Sequence, residues 1–421
     1  MCKVLRFVRL YLQGVGNNMC PKHAPEPTIV SPSAAAAQPL IDENFISADA
    51  GNGWAACYRF VGGKIKQHGI PHARARVTGT RLNTDIGSQN IAEYADFQGQ
   101  RYGYGDGIWN LTDAPIDLHQ NTARRYGSNM HLFLMLVNIA EMGVKSGSEL
   151  TLIVPAPPGL LNQVGPQIKQ AILAGENGSG DGIWSIQLRK DKKPRVYRFV
   201  RVITLPEGAG AFAAFRFNTD GEVVELPDKH GDDMLAGRVA VLDLGAGTGD
   251  IYTIFDGNLN PDAITHATDD KAGVIKNLLQ PILDDIHQAV PEATHLTTAH
   301  VDSYLRRYLA AGNDDQRSDA ATVRVSGKNV NIERSILTIC ERYAEWVGAN
   351  KIDPLWSAGT DAIIEAGGGW LYVESWIRSW YPNRLFLSPD QFKHTKQIPL
   401  YDLNGVGQLN FAAAVIRAQQ V

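Results

Sequence analysis

Short apolar runs alternate with amphipathic stretches along most of this chain. Runs typical of buried strands lie at residues 45–49, 55–60, 64–68, 91–97, 100–104, 150–155 and 196–205. Helices are predicted at residues 130–142, 209–215, 271–289 and 332–347, whereas the polar residues 313–328 predict a loop. Gly62-Gly63 and Gln98-Gly99 are typical of hairpin turns. This alternation of strands and helices predicts an α/β fold with mostly covered sheets.

Three short apolar runs, which begin at Phe45, Val239 and Ala362, end in glycine-rich turns, and the first two carry an aspartate there. The turns read Asp49-Ala50-Gly51-Asn52-Gly53, Asp243-Leu244-Gly245-Ala246-Gly247-Thr248 and Gly367-Gly368-Gly369. Glycines let backbone N–H groups approach phosphate oxygens, and an aspartate at a strand end can hold Mg²⁺ through water. Two such turns far apart in sequence predict two halves that grip one nucleotide, and therefore an ATPase.

The composition agrees with a globular protein of two domains. The 421 residues exceed the size at which one core keeps growing, and the hydrophobic and charged shares are 44% and 20%. A net charge of −4 gives no electrostatic reason to expect direct nucleic-acid binding. The four cysteines and the scattered histidines lack zinc-ligand spacing, and no P-loop sequence occurs. No apolar run is long enough to span a membrane.

The N-terminal segment differs from the rest of the chain. Residues 1–16 are basic and mildly apolar, and residues 21–39 are rich in proline, alanine and serine. Such a composition cannot bury enough apolar surface to order itself. We therefore expect a disordered extension over residues 1–42.

The order of the motifs resembles the actin-like ATPases, and among them the bacterial plasmid-segregation branch of the ParM/StbA type. The turn from Asp49 to Gly53 is similar to the first phosphate loop of that family, and residues 242–251 are similar to its second. Residues 363–369 resemble its adenosine loop. Weaker similarity at residues 152–157, 202–207 and 401–405 extends the resemblance over residues 44–420.

The resemblance implies two actin-type domains, each built on a mixed five-stranded sheet flanked by helices, with the nucleotide in the cleft between them. Residues 43–240 would form domain I, to which a C-terminal helix at residues 401–421 returns, and residues 241–400 would form domain II. In this fold Asp49 and Asp243 would hold Mg²⁺ through water. Glu207 would position the attacking water, so that Glu207 and Asp243 are the catalytic candidates.

The remaining site residues follow from the same resemblance. Phosphate binding is expected at Gly51, Asn52, Gly53, Gly245, Ala246, Gly247 and Thr248. Adenosine binding is expected at Gly273, Lys276, Asn277, Gly367, Gly368 and Gly369. The implied function is Mg²⁺-dependent hydrolysis of ATP to ADP and phosphate by a cytoplasmic bacterial filament protein that segregates plasmid DNA. Its partners would be other copies of itself and a DNA-bound adaptor protein.

Two alternatives stay open at this stage. The segment around Asp243 and Gly245, taken alone, is equally similar to the cofactor loop of methyltransferases that use S-adenosylmethionine. The long preceding segment with its own Asp–Gly turn favours the ATPase. Within the same fold, a non-polymerising ATPase, a sugar or acetate kinase, or a heat-shock chaperone remains the alternative to a filament protein.

The chain also departs from the family pattern. Ala50 and Gly53 stand where relatives often carry polar side chains, so contacts to phosphate would come from the backbone. Residues 174–195 are rich in glycine and then basic, and they predict an inserted hairpin.

Overall fold

The computed structural model describes residues 41–51, 53–77, 93–105, 107–108, 116–118, 122–259, 268–325 and 327–420. The predicted extension over residues 1–42 lies outside these residues except for its last two. Ile41 is only 1% exposed. It packs in an apolar cluster with the core, so the folded domain begins slightly earlier than the prediction placed it.

Eighteen strands are seen in the described residues. They are β1 (Phe45–Ala50), β2 (Trp54–Val61), β3 (Lys64–Pro71), β4 (Ala73–Arg76), β5 (Glu93–Phe97), β6 (Gln100–Tyr104), β7 (Ile116–Leu118), β8 (Glu149–Ala156), β9 (Ile183–Leu188), β10 (Arg195–Pro206), β11 (Arg238–Leu244), β12 (Gly249–Phe255), β13 (Asn258–Leu259), β14 (Thr268–Asp269), β15 (Thr322–Val325), β16 (Lys328–Asn331), β17 (Ala362–Ala366) and β18 (Phe386–Leu387). The strands predicted from the apolar runs are confirmed wherever they fall on described residues.

The helices lie between these strands. The α-helices are α1 (Thr122–Arg125), α2 (Asn129–Glu141), α3 (Leu161–Ala174), α4 (Ala209–Arg216), α5 (Gln280–Ala289), α6 (Thr298–Ala310), α7 (Asp314–Ala320), α8 (Glu333–Val347), α9 (Asp353–Ser357), α10 (Trp370–Trp380) and α11 (Leu403–Gln420). One-turn π-helical segments at Ile275–Leu279 and Gly348–Ile352 lead into α5 and α9, and 3₁₀ turns lie at Pro158–Leu160, Pro389–Gln391 and Leu400–Asp402.

Two large sheets organise the described residues. The first has ten strands in the order β3-β2-β1-β8-β10-β9-β5-β6-β4-β7, and the second has six, in the order β13-β12-β11-β17-β18 with β14 paired to β12. The predicted α/β architecture with two sheets is thus confirmed, but both sheets exceed the five strands that were expected. The first sheet grows because β9 pairs with the start of β10, which forms the predicted inserted hairpin, and β5 then pairs with β9.

Two local predictions need correction. The polar residues 313–328 are not a loop, because Asn313 caps α7 by accepting a hydrogen bond from the N–H of Gln316, and β15 follows with Val323 and Val325 buried. The helix predicted from residue 271 begins its regular α-helical part only at Gln280. The preceding residues Ala272 and Gly273 are instead buried against the glycine-rich turn after β11.

Helices α4 and α11 lie between the two sheets. Glycines make this packing close, because a Cβ at Gly210 or Gly407 would collide with the backbone of the other helix. The apolar cluster around this pair joins Ile153 of the first sheet to Val241 and Ile364 of the second. The C-terminal helix therefore returns to β1 and β2 of the first sheet. No helix in the described part of the chain is long and apolar enough to cross a membrane.

Candidate functional site

Two predicted carboxylates lie at one edge of the first sheet. Strands β1, β8 and β10 run parallel, so their carboxyl ends meet at this edge. Asp49 lies at the end of β1, and Glu207 directly follows β10. The N–H of Glu207 donates to the carbonyl of Ala156, the last residue of β8, at 2.8 Å. Carboxyl ends of strands in open α/β sheets are the usual place for ligand binding.

Asp243 occupies the equivalent position in the second sheet. It lies on β11, opposite Asp250 of the antiparallel β12 and beside Ala366 of the parallel β17. The chain then turns at Gly367 with φ of +84°. A Cβ at Gly367 would collide with Oδ1 of Asp243 and with the Leu244 carbonyl. Only glycine fits this turn, because the positive φ and the close approach to Asp243 both exclude a side chain.

The first and second predicted phosphate loops meet. A Cβ at Gly53 would lie 2.7 Å from Cβ of Ala246. His72 stabilises the first loop through two hydrogen bonds. Its backbone N–H donates to the Gly53 carbonyl at 3.1 Å. Nδ1 of His72 lies 2.5 Å from the Gly51 carbonyl. Because a carbonyl only accepts, Nδ1 must carry a proton. Asn52, predicted in this loop, lies outside the described residues.

The second loop is a tight turn with free amides. The N–H of Gly245 donates to the Thr248 carbonyl at 2.9 Å, while the Gly245 and Ala246 carbonyls accept from the N–H groups of Val274 and Ile275. The N–H groups of Ala246 and Gly247 have no acceptor among the described residues. Amides that share a turn in this way can bind an anion.

Glu207 is held by two side chains that the sequence did not single out. The hydroxyl of Tyr126 donates to Oε1 of Glu207 at 2.6 Å. Nη2 of Arg125 lies 3.4 Å from the same oxygen. Both Arg125 and Tyr126 are buried, at the end of the short α1. Oε1 accepts both contacts, and no side chain among the described residues donates to Oε2 of Glu207.

Asn404 joins the two sheets at the site. Its side-chain oxygen accepts from the N–H groups of Gly208 and Ala211, at 3.2 and 3.0 Å, and so caps α4. Its Nδ2 donates to Oδ2 of Asp243. On the preceding turn, Asp402 accepts from the Tyr58 hydroxyl at 2.6 Å. Neither polar residue of this turn was predicted as a site residue, although the turn itself was recognised.

Burial, followed by repulsion from neighbouring carboxylates, raises the pKa values of three aspartates at the site. Burial, then Glu207, raises the pKa of Asp49 to about 7, despite the opposing charge of Arg125. Burial and Glu207 likewise raise the pKa of Asp250 to about 7. Burial, followed by the charges of Asp250, Glu207 and Asp49, raises the pKa of Asp243 well above its ordinary value. Arg125 is the cation that opposes this repulsion at Asp49 and Asp250, so the site favours added positive charge.

The residues predicted for adenosine divide into two groups. Gly273 packs on Gly247, and Gly369 packs on Leu244 and Val274, so both lie against the second loop. Gly367 forms the turn beside Asp243 described above. The other three predicted residues do not contact the second loop in this way. Asn277 donates its amide to the carbonyls of Lys271 and Gly273, at 2.5 and 2.8 Å. Lys276 is exposed. Gly368 has Arg306 and Tyr401 as its nearest neighbours.

Among the described residues, no group of three or more histidine, cysteine, aspartate or glutamate side chains is arranged to hold a metal ion. The prediction for Asp49 and Asp243 was ligation through water, which does not require such a group.

The chain is similar to solved structures of the actin-like fold. The archaeal actin homolog Ta0583 is 17% identical, with a TM-score of 0.60 over 87% of this chain and 98% of that one. ParM of Bacillus thuringiensis with ADP is 17% identical, with a TM-score of 0.59 over 90% of this chain and 100% of that one. The same ParM with ATP is 18% identical, with a TM-score of 0.57 over 87% and 97%. No protein-family model matches the sequence, and no curated protein matches it either. The chain therefore has the actin-like fold that its motifs predicted.

Proposed function

We propose that this protein is a Mg²⁺-dependent ATPase that binds ATP between its two sheets. The observation that carries the proposal is the meeting of the two phosphate loops at Gly53 and Ala246, with Asp49, Glu207 and Asp243 around them. Similar folds have been solved with ADP and with ATP. Carboxylates from both sheets and free amides are the groups that phosphoryl transfer needs.

The backbone of the two loops would bind the phosphates. The N–H groups of Ala246 and Gly247 have no other acceptor among the described residues, and those of Gly51, Gly53 and Thr248 lie in the same two turns. We assign the β- and γ-phosphates to them because glycine-rich turns admit the close approach that phosphate oxygens require. Asn52 keeps its predicted place in this set.

Glu207 would orient the water that attacks the γ-phosphate. Its Oε1 is fixed by Tyr126 and Arg125, so that Oε2 can accept a hydrogen bond from a water. Water positioning and charge neutralisation account for most of catalysis in phosphoryl transfer, which needs little covalent help from the protein. Tyr126 and Arg125 are positioning residues for Glu207.

Asp49 and Asp243 fit a hydrated divalent cation. Their pKa values are raised by burial and by neighbouring carboxylates, which is the environment that an added cation stabilises. Bound there, Mg²⁺ would offset the charge that develops on the phosphate oxygens. Asn404 would hold Asp243 in place through its hydrogen bond to Oδ2.

The adenosine would lie on the side of the second loop away from Gly53. Gly273, Gly367 and Gly369 form tight contacts there, so these glycines would let the segments that wall the pocket pack closely against the second loop. Gly368, Lys276 and Asn277 keep their predicted places at the edge of this pocket. The side chain of Asn277 would have to exchange a backbone contact for the base.

We further propose that ATP binding drives assembly into filaments, and that the filaments segregate plasmid DNA through a DNA-bound adaptor in the bacterial cytoplasm. This step rests on the sequence resemblance to the ParM/StbA type together with the shared fold. A nucleotide that touches loops of both sheets favours their closed arrangement, since it gains contacts only there. Head-to-tail contacts whose rotation does not close produce filaments.

The ATPase is tested by phosphate release from the purified protein with ATP and Mg²⁺. The Asp243→Asn variant should lose most of the ATPase activity. The control variant Asp256→Asn makes the same chemical change directly after β12, at the end of that strand away from Asp250, and should keep the activity. Parental activity in Asp243→Asn contradicts the proposal. Assembly is tested separately by light scattering, which should rise with ATP and Mg²⁺ but not with ADP. A protein that hydrolyses ATP without scattering would refute the filament step alone and would favour a non-polymerising ATPase or kinase.

A further inference from the structure

A cavity with a volume of about 590 Å³ is lined by residues of β2, β3, β5 and β6 in the first sheet. Glu141, the last residue of α2, and Arg189 and Lys190, which follow β9, complete its lining. None of the residues that were assigned above to the nucleotide or to Mg²⁺ lines it. Its volume lies within the usual range of small-molecule pockets, about 300–1,000 Å³.

Trp54 gives this cavity a fixed aromatic surface. It is the first residue of β2, and it is 45% exposed. A Cβ at Gly69, on the neighbouring β3, would collide with Nε1 of its indole. The absence of a side chain at Gly69 therefore lets the ring lie directly against the strand. A fixed, half-exposed indole can stack with another planar ring, a contact that contributes about 0.5–1.5 kcal/mol beyond the burial of area.

The cavity also carries one positive and one negative charge that are not neutralised. Among the described residues, neither Arg189 nor Glu93 forms an ion pair, either with the other or with a third residue. The charges of Lys190 and Glu141 differ, because these two side chains pair with each other. Glu141 also accepts from the Tyr104 hydroxyl at 2.8 Å. A ligand that carries both a carboxylate and an ammonium group would complement Arg189 and Glu93.

His68 adds a hydrogen-bond acceptor to the same lining. The Nδ2 of Asn138 donates to the carbonyls of Ala55 and Leu134, each at 3.0 Å, so its Oδ1 is the atom that lies 2.7 Å from Nδ1 of His68. Because an amide oxygen only accepts, Nδ1 carries the proton, and Nε2 of the neutral ring can accept a hydrogen bond from a ligand. The ammonium group that suits Glu93 would also supply this donor.

We propose that this cavity binds a small aromatic zwitterion, of which a free aromatic α-amino acid is the simplest case. The ring of the ligand would stack on Trp54, its carboxylate would pair with Arg189, and its ammonium group would pair with Glu93. The guanidinium of Arg189 lies 5.5 Å from the centre of the Tyr94 ring, and this contact limits its motion. An aromatic residue inside a peptide chain has neither charge, so the two charged side chains favour the free amino acid. Water molecules would fill the rest of the cavity and bridge to its polar lining.

The proposal is tested by saturation-transfer NMR of L-phenylalanine with the full-length protein, in the absence of nucleotide. L-Phenylalanine should bind saturably, with a dissociation constant below about 1 mM. Three analogues each lack one group: 3-phenylpropanoate lacks the ammonium, phenethylamine lacks the carboxylate and L-alanine lacks the ring. Each should bind at least about fivefold more weakly, because each loses one of the three contacts.

Two variants assign the charged contacts separately. Arg189→Gln should weaken L-phenylalanine and 3-phenylpropanoate by about fivefold and leave phenethylamine within about twofold, since only the first two carry a carboxylate. Glu93→Gln should weaken L-phenylalanine and phenethylamine and leave 3-phenylpropanoate nearly unchanged. Gly69→Ala should weaken all three compounds, because it displaces the indole of Trp54. The control Arg198→Gln removes an arginine that pairs with Glu149 outside the cavity, and it should change no affinity by more than about twofold.

Three results would overturn the proposal. The first is the absence of a saturable signal with L-phenylalanine, and the second is equal affinity for L-phenylalanine and the two analogues that lack a charge. The third is an equal effect of Arg189→Gln and Arg198→Gln on the binding of L-phenylalanine. These results do not depend on ATP hydrolysis, which can be measured separately in the same variants.

Discussion

Replacing Asn404 by aspartate should lower the free energy of unfolding, because the one atom that it changes faces the carboxylate of Asp243. The change keeps the oxygen that accepts from Gly208 and Ala211, but it replaces the Nδ2 donor that faces Oδ2 of Asp243. A hydrogen bond to a charged group contributes about 1.5–3 kcal/mol. Two carboxylates about 4 Å apart repel by up to roughly 4 kcal/mol at an effective dielectric constant near 20. We expect a loss of about 3–5 kcal/mol in the free energy of unfolding at neutral pH.

The assay is urea denaturation at several pH values, with Asn329→Asp as the control. Asn329 lies on the exposed face of β16, so the same chemical change there should alter the free energy of unfolding by less than about 0.5 kcal/mol. The Asn404→Asp penalty should shrink as the pH falls, because one proton between the two carboxyl groups restores a donor. An Asn404→Asp protein as stable as the parent at pH 8 would refute the assigned contact between Asn404 and Asp243.

Three further predictions concern the same site. Glu207→Gln should lower the rate of phosphate release by a factor of about 10²–10⁴ and leave ATP affinity, measured by calorimetry, nearly unchanged; equal losses of both would point to a structural role. Tyr126→Phe should lower kcat about tenfold with little change in KM, whereas a rise in KM alone would contradict its positioning of Glu207. Since the pKa values of Asp49 and Asp250 are raised to about 7, the folded state binds more protons than the unfolded one, and stability without Mg²⁺ should fall as the pH rises from about 4 to about 7. Urea denaturation should show this slope, Asp49→Asn should flatten it, and a rise in stability over that range would contradict the account.

The loop residues could be predicted because their signals are local. Asp243, Gly245 and Gly247 stand in one short run after an apolar strand, and that run alone indicates a strand end, a tight turn and free amides. The same applies to Gly367, whose position after a buried strand favours a turn with positive φ. The fold class followed from the alternation of such runs.

The side chains that hold the site could not be found in this way. Asn404 lies 161 residues from Asp243, and Tyr126 lies 81 residues from Glu207. A single amide or phenol carries no periodicity, so only the packing of α11 and α1 against the strand ends reveals its partner. The extra strands of the first sheet also depend on such distant pairings.

The loop predicted at residues 313–328 was wrong, although the sequence there carries a local signal for a helix. Asn313 is followed three residues later by Gln316, a spacing typical of a helix N-terminus. The high polarity of the segment obscured it, because α7 buries only Ala320. A short helix that is stabilised mainly by its N-cap hydrogen bond, and not by burial of an apolar face, has almost no hydrophobic periodicity in its sequence.

Calorimetric titration of the purified protein with ATP and, separately, with S-adenosylmethionine, both with Mg²⁺ present, tests the central claim most directly. We predict saturable binding of one ATP per chain, lost in the Asp243→Ala variant, and no saturable signal with S-adenosylmethionine. Saturable binding of S-adenosylmethionine without binding of ATP would contradict the account, because the turn after Asp243 would then be a cofactor loop and not half of a phosphate clamp.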